Sequence, residues 1–333
     1  MIYRLQGCKK SAVIGWMASM LLVAGCTQDK LADASQGGML PEGKYPITFT
    51  ATGLEIPAAT RATADGTWTQ GNEIAVKVEG VAEAKHYTAV NSGESTMLEP
   101  AYNVIPFYWQ STSDINVSAW YVGTGYSFVL PETWPVQSDQ NFNEFISSGY
   151  QESDFLYAPQ TAIDFKGTKS LTFYHQTAKV VINIRKEGVA TDASKITSVK
   201  INSISVGNFN QNASGNYSLS ASEGPYIAIT PQKTTANTGV VFEANKAGET
   251  ALASYRALVI PQEVNKTSIE INIEGYAPFK YTPTVPDTSG KWAGGTQYTY
   301  NLTIKGSVVT ATVTNSISWG DKEGGTGGGT VEI

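Results

Sequence analysis

Thiols and imidazoles, which commonly act as nucleophiles, bases or metal ligands, are rare in this 333-residue chain. Its cysteines are Cys8 and Cys26, and its histidines are His86 and His175. A Ser-His-Asp arrangement needs a histidine as its general base. His175 shares a predicted strand face with Phe173 in LTFYHQTAK, so we expect it to be structural. His86 lies in EAKHYTA, a polar edge or loop context, and we do not expect it to be catalytic either. The sequence therefore predicts no catalytic residue and no enzyme activity.

Recognisable metal and cofactor motifs are also missing from the sequence. It contains no His-Glu-x-x-His, no Cys-x-x-Cys and no acidic loop with EF-hand spacing. The glycine-rich stretch GGTGGGT near the end lacks the Lys-Ser/Thr pair of a phosphate-binding loop. We predict neither a metal site nor a cofactor.

Cys26 ends a short apolar run, SAVIGWMASMLLVAGC, which follows the basic residues Arg4, Lys9 and Lys10. A positive start, an apolar middle too short to cross a bilayer and small residues at the end are typical of a secretory signal. The ending resembles the lipobox of bacterial lipoproteins. This resemblance implies cleavage before Cys26, lipidation (palmitate) of that residue and a location at the cell outer membrane; the alternative is an ordinary signal cut at another small residue.

Composition limits the partners of the chain. Its formal net charge is −6, and it becomes more negative when the basic signal is removed. An acidic surface disfavours nucleic acid as a partner. Charged residues make up 16% of the chain, below the roughly 25% usual in globular domains. Thr, Ser, Asn, Gly and Tyr take their place, which favours strands and turns.

Alternation of apolar and polar residues recurs through most of the chain, most clearly in SIEINIE (268–274) and YTYNLTI (298–304). This pattern is typical of antiparallel sheets that pack as sandwiches with one buried and one wet face. The apolar phase slips in ITSVKINSISV, which predicts a bulge or strand break near Asn202 and Ser203. We predict an all-β protein.

The same patterns predict the segments of the chain, with a junction at DFKGTKS (Asp164 to Ser170). They are a signal peptide over residues 1–25, a polar tether over 26–45, an N-terminal β-sandwich over 46–166, a C-terminal β-sandwich over 167–320 and a glycine-rich tail over 321–333. For the tail, disorder is preferred, and the alternative is a short donor strand in which Val331 and Ile333 alternate around Glu332.

Aromatic residues allow a second kind of function. Trp134 lies in the loop-like stretch PETWPVQSD and is the best candidate for an exposed ring that stacks on a sugar. Most tryptophans in β-proteins instead fill cores. A monomeric surface glycan-binding lipoprotein is therefore the alternative function.

An ordered set of short motifs resembles the fimbrillin family, the subunits and relatives of Bacteroidales type V pili. The motifs, which span about residues 46 to 320, are PITFTATG, ATRATADGTWTQGNEIAV, IPFYW, VSAWYV, DFLYA, LTFYHQTAKVVINI, ALVIPQEV, GGTQYTYNLTI and ISWGD. The resemblance implies two tandem transthyretin-like Greek-key β-sandwich domains. It also implies a structural or adhesive pilus subunit whose partners are other pilin subunits, with a host or bacterial surface ligand as a further candidate partner.

The resemblance further implies assembly by donor-strand exchange after an arginine-specific protease removes the first strand. The matching processing site is the bond between Arg61 and Ala62, in a small, polar stretch of the kind that proteases cut. Ile47, Phe49 and Ala51 alternate in PITFTA, so this segment can form a strand with one buried face. An Arg61 that is never cut is the alternative.

Overall fold

A computed structural model describes residues 38–53, 66–141, 148–187, 192–213, 215–306, 308–318 and 328–331. Strands dominate this part of the chain, so the all-β prediction is confirmed. One four-residue helix, α1 (Gly149–Glu152), begins at a capping box formed by Ser148 and Gln151. None of the helices among these residues is long and apolar enough to cross a membrane.

The strands divide into two groups along the chain. The first group is β1 (Phe49–Thr52), β2 (Glu73–Val78), β3 (Lys85–Ala89), β4 (Ser95–Pro100), β5 (Ile115–Tyr121), β6 (Thr133–Pro135), β7 (Leu156–Ile163), β8 (Ser170–Thr172) and β9 (Tyr174–His175). The second is β10 (Ala178–Glu187), β11 (Ile196–Ile204), β12 (Val206–Gln211), β13 (Tyr217–Ala221), β14 (Tyr226–Ile229), β15 (Gln232–Thr234), β16 (Ala253–Val259), β17 (Gln262–Glu263), β18 (Ser268–Ile273), β19 (Phe279–Tyr281), β20 (Lys291–Trp292), β21 (Thr296–Lys305), β22 (Val308–Ser318) and β23 (Gly328–Val331).

The first group forms an eight-stranded sheet in the order β8-β1-β4-β3-β2-β5-β7-β9. Its two outermost strands, β8 and β9, are separated in sequence only by Phe173. One short stretch of chain therefore borders the sheet at both ends. One hydrophobic cluster contains side chains from every strand of this sheet except β9.

The second group forms a six-stranded sheet, β15-β16-β10-β21-β22-β23, and a four-stranded sheet, β14-β11-β18-β19. Isoleucines of β18 and the apolar residues of β10 and β21 belong to one hydrophobic cluster. The same cluster takes in Trp120, Phe155 and Tyr157 from the first group of strands. The two groups are therefore joined by apolar packing.

Sheet membership differs from the predicted segments in two places. β8 and β9 follow the predicted junction at residue 166 but belong to the first sheet. β6 precedes that junction but pairs with β12 in a three-stranded sheet, β13-β12-β6. The change of sheet lies between His175 and Ala178. The division into two domains stays a prediction.

Two further expectations concern β11 and the tail. The predicted strand break lies at Ser205, between β11 and β12, close to the expected position. The expectation of a disordered tail is wrong for residues 328–331, which form β23 and pair antiparallel with β22. The edge of β22 offers free backbone groups, and pairing satisfies them.

The face of the six-stranded sheet that carries the polar residues of the alternating pattern, here called the outer face, is covered. The alternation predicted that this face is exposed to solvent. Thr299, Asn301 and Thr303 of β21 are buried like their apolar neighbours. The loop between β15 and β16 lies over them: Asn301 Nδ2 donates to the Val241 carbonyl at 3.1 Å, and the Thr312 hydroxyl donates to the Phe242 carbonyl at 2.6 Å. Polar side chains can thus be buried because the loop supplies partners.

Asn183 is the centre of this buried polar layer. Its Nδ2 donates to Asn301 Oδ1 at 2.8 Å, and its Oδ1 accepts from Asn237 Nδ2 and from the Ser254 hydroxyl, each at 2.8 Å. The layer links the central strand β10 to β21, to β16 and to the start of the covering loop.

We expect Asn183→Ala to lower the free energy of unfolding by on the order of 3 kcal/mol, because it leaves several buried polar groups without a partner. Asn272→Ala is the matched control, since its amide is only partly buried and bonds Ser198 at 2.8 Å. Urea unfolding followed by circular dichroism measures both. Equal losses in the two variants would contradict the role of the buried layer.

Candidate functional site

Strand β1 occupies an internal position in the first sheet and has one buried face. Ile47, Phe49 and Ala51 are buried, whereas Thr48 and Thr50 between them are exposed. The alternation in PITFTA therefore has the predicted orientation. We call the space that β1 fills between β4 and β8 the β1 slot.

Backbone pairing holds β1 on both sides of the slot. It runs antiparallel to β4, with Phe49 opposite Leu98, and parallel to β8, with Ala51 opposite Leu171. Beyond the strand ends, the Ile47 amide donates to the Phe107 carbonyl at 2.8 Å, and the Phe173 amide donates to the Thr52 carbonyl at 2.9 Å. In the described sheet β8 pairs with β1 alone, so β8 depends on it.

Aromatic side chains form the floor of the slot. The Phe49 ring packs edge-on against Tyr87 with 5.3 Å between centroids. The Tyr87 hydroxyl accepts from the Phe107 amide at 3.2 Å, and burial raises the pKa of Tyr87 to about 12. The tyrosine is neutral at physiological pH, as an ordinary tyrosine with a pKa near 10 also is.

The residues before β1 pair with the segment between β4 and β5. The Leu40 amide donates to the Gln110 carbonyl at 2.8 Å, and the Trp109 amide donates to the Tyr45 carbonyl at 2.9 Å. Phe165 packs edge-on against both Tyr45 and Trp109. The described residues from 38 to 53 therefore form one peptide that is bound along the sheet by β-pairing.

The described structure resumes at residue 66, close to the end of β8 that borders the slot. Trp68 is buried and exchanges two backbone hydrogen bonds with Gly93, at 2.8 and 3.0 Å. Its ring packs edge-on against Phe173, with 5.0 Å between centroids. Arg61 and Ala62 fall in residues 54–65, between these two anchored ends, and they lie outside the described residues, as does Cys26.

Both histidines are part of packed structure, as predicted for His175, whereas His86, expected at a polar edge or loop, lies in the internal strand β3. His175 is buried, with Nδ1 2.9 Å from Asp154 Oδ1, which is also buried. His86 Nε2 lies 3.2 Å from Glu73 Oε1, and its ring stacks on Tyr126. Desolvation lowers the pKa of His86, opposed by the charge of Glu73. No group of three or more metal-ligating side chains converges in the part of the chain that the structure describes.

Trp134 differs from the sequence expectation. Its side chain is buried, with 9% exposure, because the stretch around it forms β6 and pairs with β12. The ring stacks on Phe155 with 5.1 Å between centroids, and its Nε1 donates to the Ser153 carbonyl at 3.1 Å. The predicted exposed ring for a sugar is therefore wrong at this position.

Comparison with known proteins agrees with this architecture of β-sheets. The family model described as fimbrillin-like matches residues 60–318, and the chain belongs to this family. No match was found among curated proteins.

Solved structures show the same fold. A provisionally assigned cell adhesion protein from Bacteroides uniformis is 17% identical, with a TM-score of 0.59 over 84% of this chain and 100% of the other. A protein from Bacteroides ovatus with the same description is 17% identical, with a TM-score of 0.56 over 84% of this chain and 99% of the other. At this identity the likeness concerns the fold.

The β1 slot leads to a prediction about stability. We expect Phe49→Ala to lower the free energy of unfolding by about 3–5 kcal/mol, because it empties a buried aromatic site between two strands. Thr50→Ala, on the exposed face of the same strand, is the matched control and is expected to change it by less than about 1 kcal/mol. Denaturant titration measures both; a Phe49→Ala variant as stable as the control would show that β1 is not part of the core.

Proposed function

We propose that this chain is a structural or adhesive subunit of a cell-surface pilus, exported as a lipoprotein and joined to neighbouring subunits by β-strand exchange. Membership of the fimbrillin-like family supports a pilus-related subunit. The observation that carries the strand exchange is the position of β1, which is internal to its sheet yet lies close to the N-terminal end of the described chain.

A cut after Arg61 would detach this strand without breaking any other. Residues up to 61 would then be held by hydrogen bonds and packing alone. Their departure exposes the backbone groups of β4 and β8 that face the slot, together with the apolar floor under Phe49. Unpaired strand edges are strong templates for an incoming strand.

Refilling the slot is energetically favourable. Burial of each large apolar side chain such as Ile47 or Phe49 contributes about 1.5–3 kcal/mol, and a donor strand also restores the backbone pairing. A donor with apolar residues at alternate positions reproduces the pattern of β1. One candidate is the end of the chain, because β23 is an edge strand and Val331 and Ile333 alternate around Glu332.

The lipid at Cys26 has a different role in each outcome. If Arg61 is cut, Cys26 leaves with the released peptide, and the lipid serves delivery to the outer membrane. If it is not cut, the lipid holds the subunit at the membrane as an anchor. A single protease site thus decides between polymer and anchor.

We expect an arginine-specific protease to cut the native protein after Arg61 and to release a chain that begins at Ala62 and forms ladders resistant to mild denaturant. Arg185 and Arg256 lie within strands β10 and β16 and are expected to be protected. Arg61→Gln is the control that stays intact and monomeric. N-terminal sequencing and denaturing gels measure the products.

A competitor peptide sharpens this experiment. The peptide PITFTATG, which corresponds to residues 46–53, is expected to fill the slot and suppress the ladders, whereas the same peptide with Phe49→Ala is expected to be much weaker. Clipped protein that remains monomeric at high concentration, without added peptide, would contradict strand exchange.

Lipidation is tested separately. In a bacterial host that processes lipoproteins, we expect Cys26→Ser to abolish incorporation of labelled palmitate and to move the protein out of the membrane fraction, because acyl chains provide the attachment. Cys8→Ser, within the predicted signal, is the matched control. Unchanged labelling of the Cys26→Ser protein would exclude this cysteine as the lipid site.

A further inference from the structure

A cavity of about 500 Å³ lies where the first sheet meets the β12–β13 hairpin. Three tyrosines line it: Tyr157 of β7, Tyr174 of β9 and Tyr217 of β13. Its volume falls in the range of about 300–1,000 Å³ that is usual for small-molecule sites. We call this cavity the tyrosine pocket.

Two of the tyrosines have exposed area, and one of these two also packs against other aromatic rings. Tyr174 and Tyr217 are 38% and 37% exposed. Tyr217 stacks on Phe209 with 5.4 Å between centroids, and Tyr157 packs against both Phe209 and Tyr217 at 5.2 and 5.6 Å. Phe209 in turn packs on Phe155 at 4.8 Å. A continuous series of rings therefore holds the surface of the pocket in place.

The polar lining of the tyrosine pocket carries no formal charge. Gln176, Asn216, Ser218 and Thr296 supply amide and hydroxyl groups, and no lysine, arginine or carboxylate is among the described residues that line it. His175 also lines the cavity, but it is buried against Asp154. Neutral amides and hydroxyls can both donate and accept hydrogen bonds.

Bare backbone forms one wall of the tyrosine pocket. A Cβ atom at Gly294 would lie 2.6 Å from the Gln176 carbonyl oxygen, and Gly295 has a φ of +68°, which disfavours other residues. The Gly295 amide donates to the Thr177 carbonyl at 2.9 Å. Gly294 thus lets this wall approach the backbone of Gln176 closely, and neither glycine adds a side chain to the wall.

Two other surface cavities have a different chemistry. One, on the outer face of the six-stranded sheet, is lined by Lys179, Lys233 and Arg256 among others. The second includes Glu263 and Lys291 in its lining. The tyrosine pocket differs from both because no lysine, arginine or carboxylate is among the described residues that line it.

We propose that the tyrosine pocket binds an uncharged pyranose residue of a surface saccharide. A pyranose has an apolar C–H face that can pack on a tyrosine ring, and hydroxyl groups at its rim that pair with neutral amides and hydroxyls. The absence of charge from the described lining disfavours sialylated, uronate and sulfated sugars. This binding does not depend on strand exchange, because Tyr174 and Tyr217 are exposed while β1 fills its slot.

The test is a saccharide array probed with the detergent-solubilised, uncut mature protein. The array carries uncharged glucose-, galactose-, mannose- and N-acetylglucosamine-terminated saccharides beside their sialylated and sulfated forms. We expect binding to uncharged saccharides. Isothermal titration calorimetry with the strongest of them then measures the affinity of each variant.

We expect Tyr217→Ala and Tyr174→Ala each to weaken this binding at least tenfold, and Tyr217→Phe to weaken it only a few-fold because the ring remains. Tyr102→Ala is the matched control, since this tyrosine is 92% exposed and lies outside the pocket. Circular dichroism confirms that each variant is folded. Failure to bind any uncharged saccharide at millimolar concentration, a preference for charged sugars, or alanine variants that bind as tightly as the unmutated protein would overturn the proposal. Because the protein is uncut, none of these results bears on polymer formation.

Discussion

Backbone pairing of β1 on both of its sides is the interaction on which the first sheet depends. β8 pairs with no other strand of the described sheet, and β4 would become an unprotected edge without β1. Buried backbone groups must find partners, so loss of this strand leaves two rows of unpaired groups rather than one. The same requirement that makes β1 necessary for stability underlies the proposed binding of a replacement strand in the β1 slot.

The aromatic series from Trp134 to Tyr217 joins the two groups of strands. Trp134 stacks on Phe155, Phe155 packs on Phe209, and Phe209 stacks on Tyr217. Phe155 lies next in sequence to Asp154, whose carboxylate is 2.9 Å from His175 Nδ1. Apolar contacts and a buried polar pair therefore occupy the same junction.

Both faces of the central strands in the six-stranded sheet are covered, although their sequence alternates. Asn183 and Asn301 are buried because the loop from β15 to β16 and the Ser254 hydroxyl supply hydrogen bonds to this layer. A polar residue on a strand thus does not by itself indicate contact with water. Whether it is exposed depends on a segment distant in sequence.

The sequence by itself determined the all-β class, the buried faces of several strands and the motifs of the fimbrillin-like family. Side chains two residues apart share a face of a strand, so local alternation is sufficient to show which residues turn inward. It correctly placed the buried face of β1, the packed His175 and the break near β12. Only the tertiary structure decided that β6 pairs with β12, that Trp134 is covered by Phe155 and that three tyrosines meet around one cavity. Alternation indicates which face of a strand is buried but not which distant segment covers that face. The covering segment depends on pairing and packing between residues that are far apart along the chain.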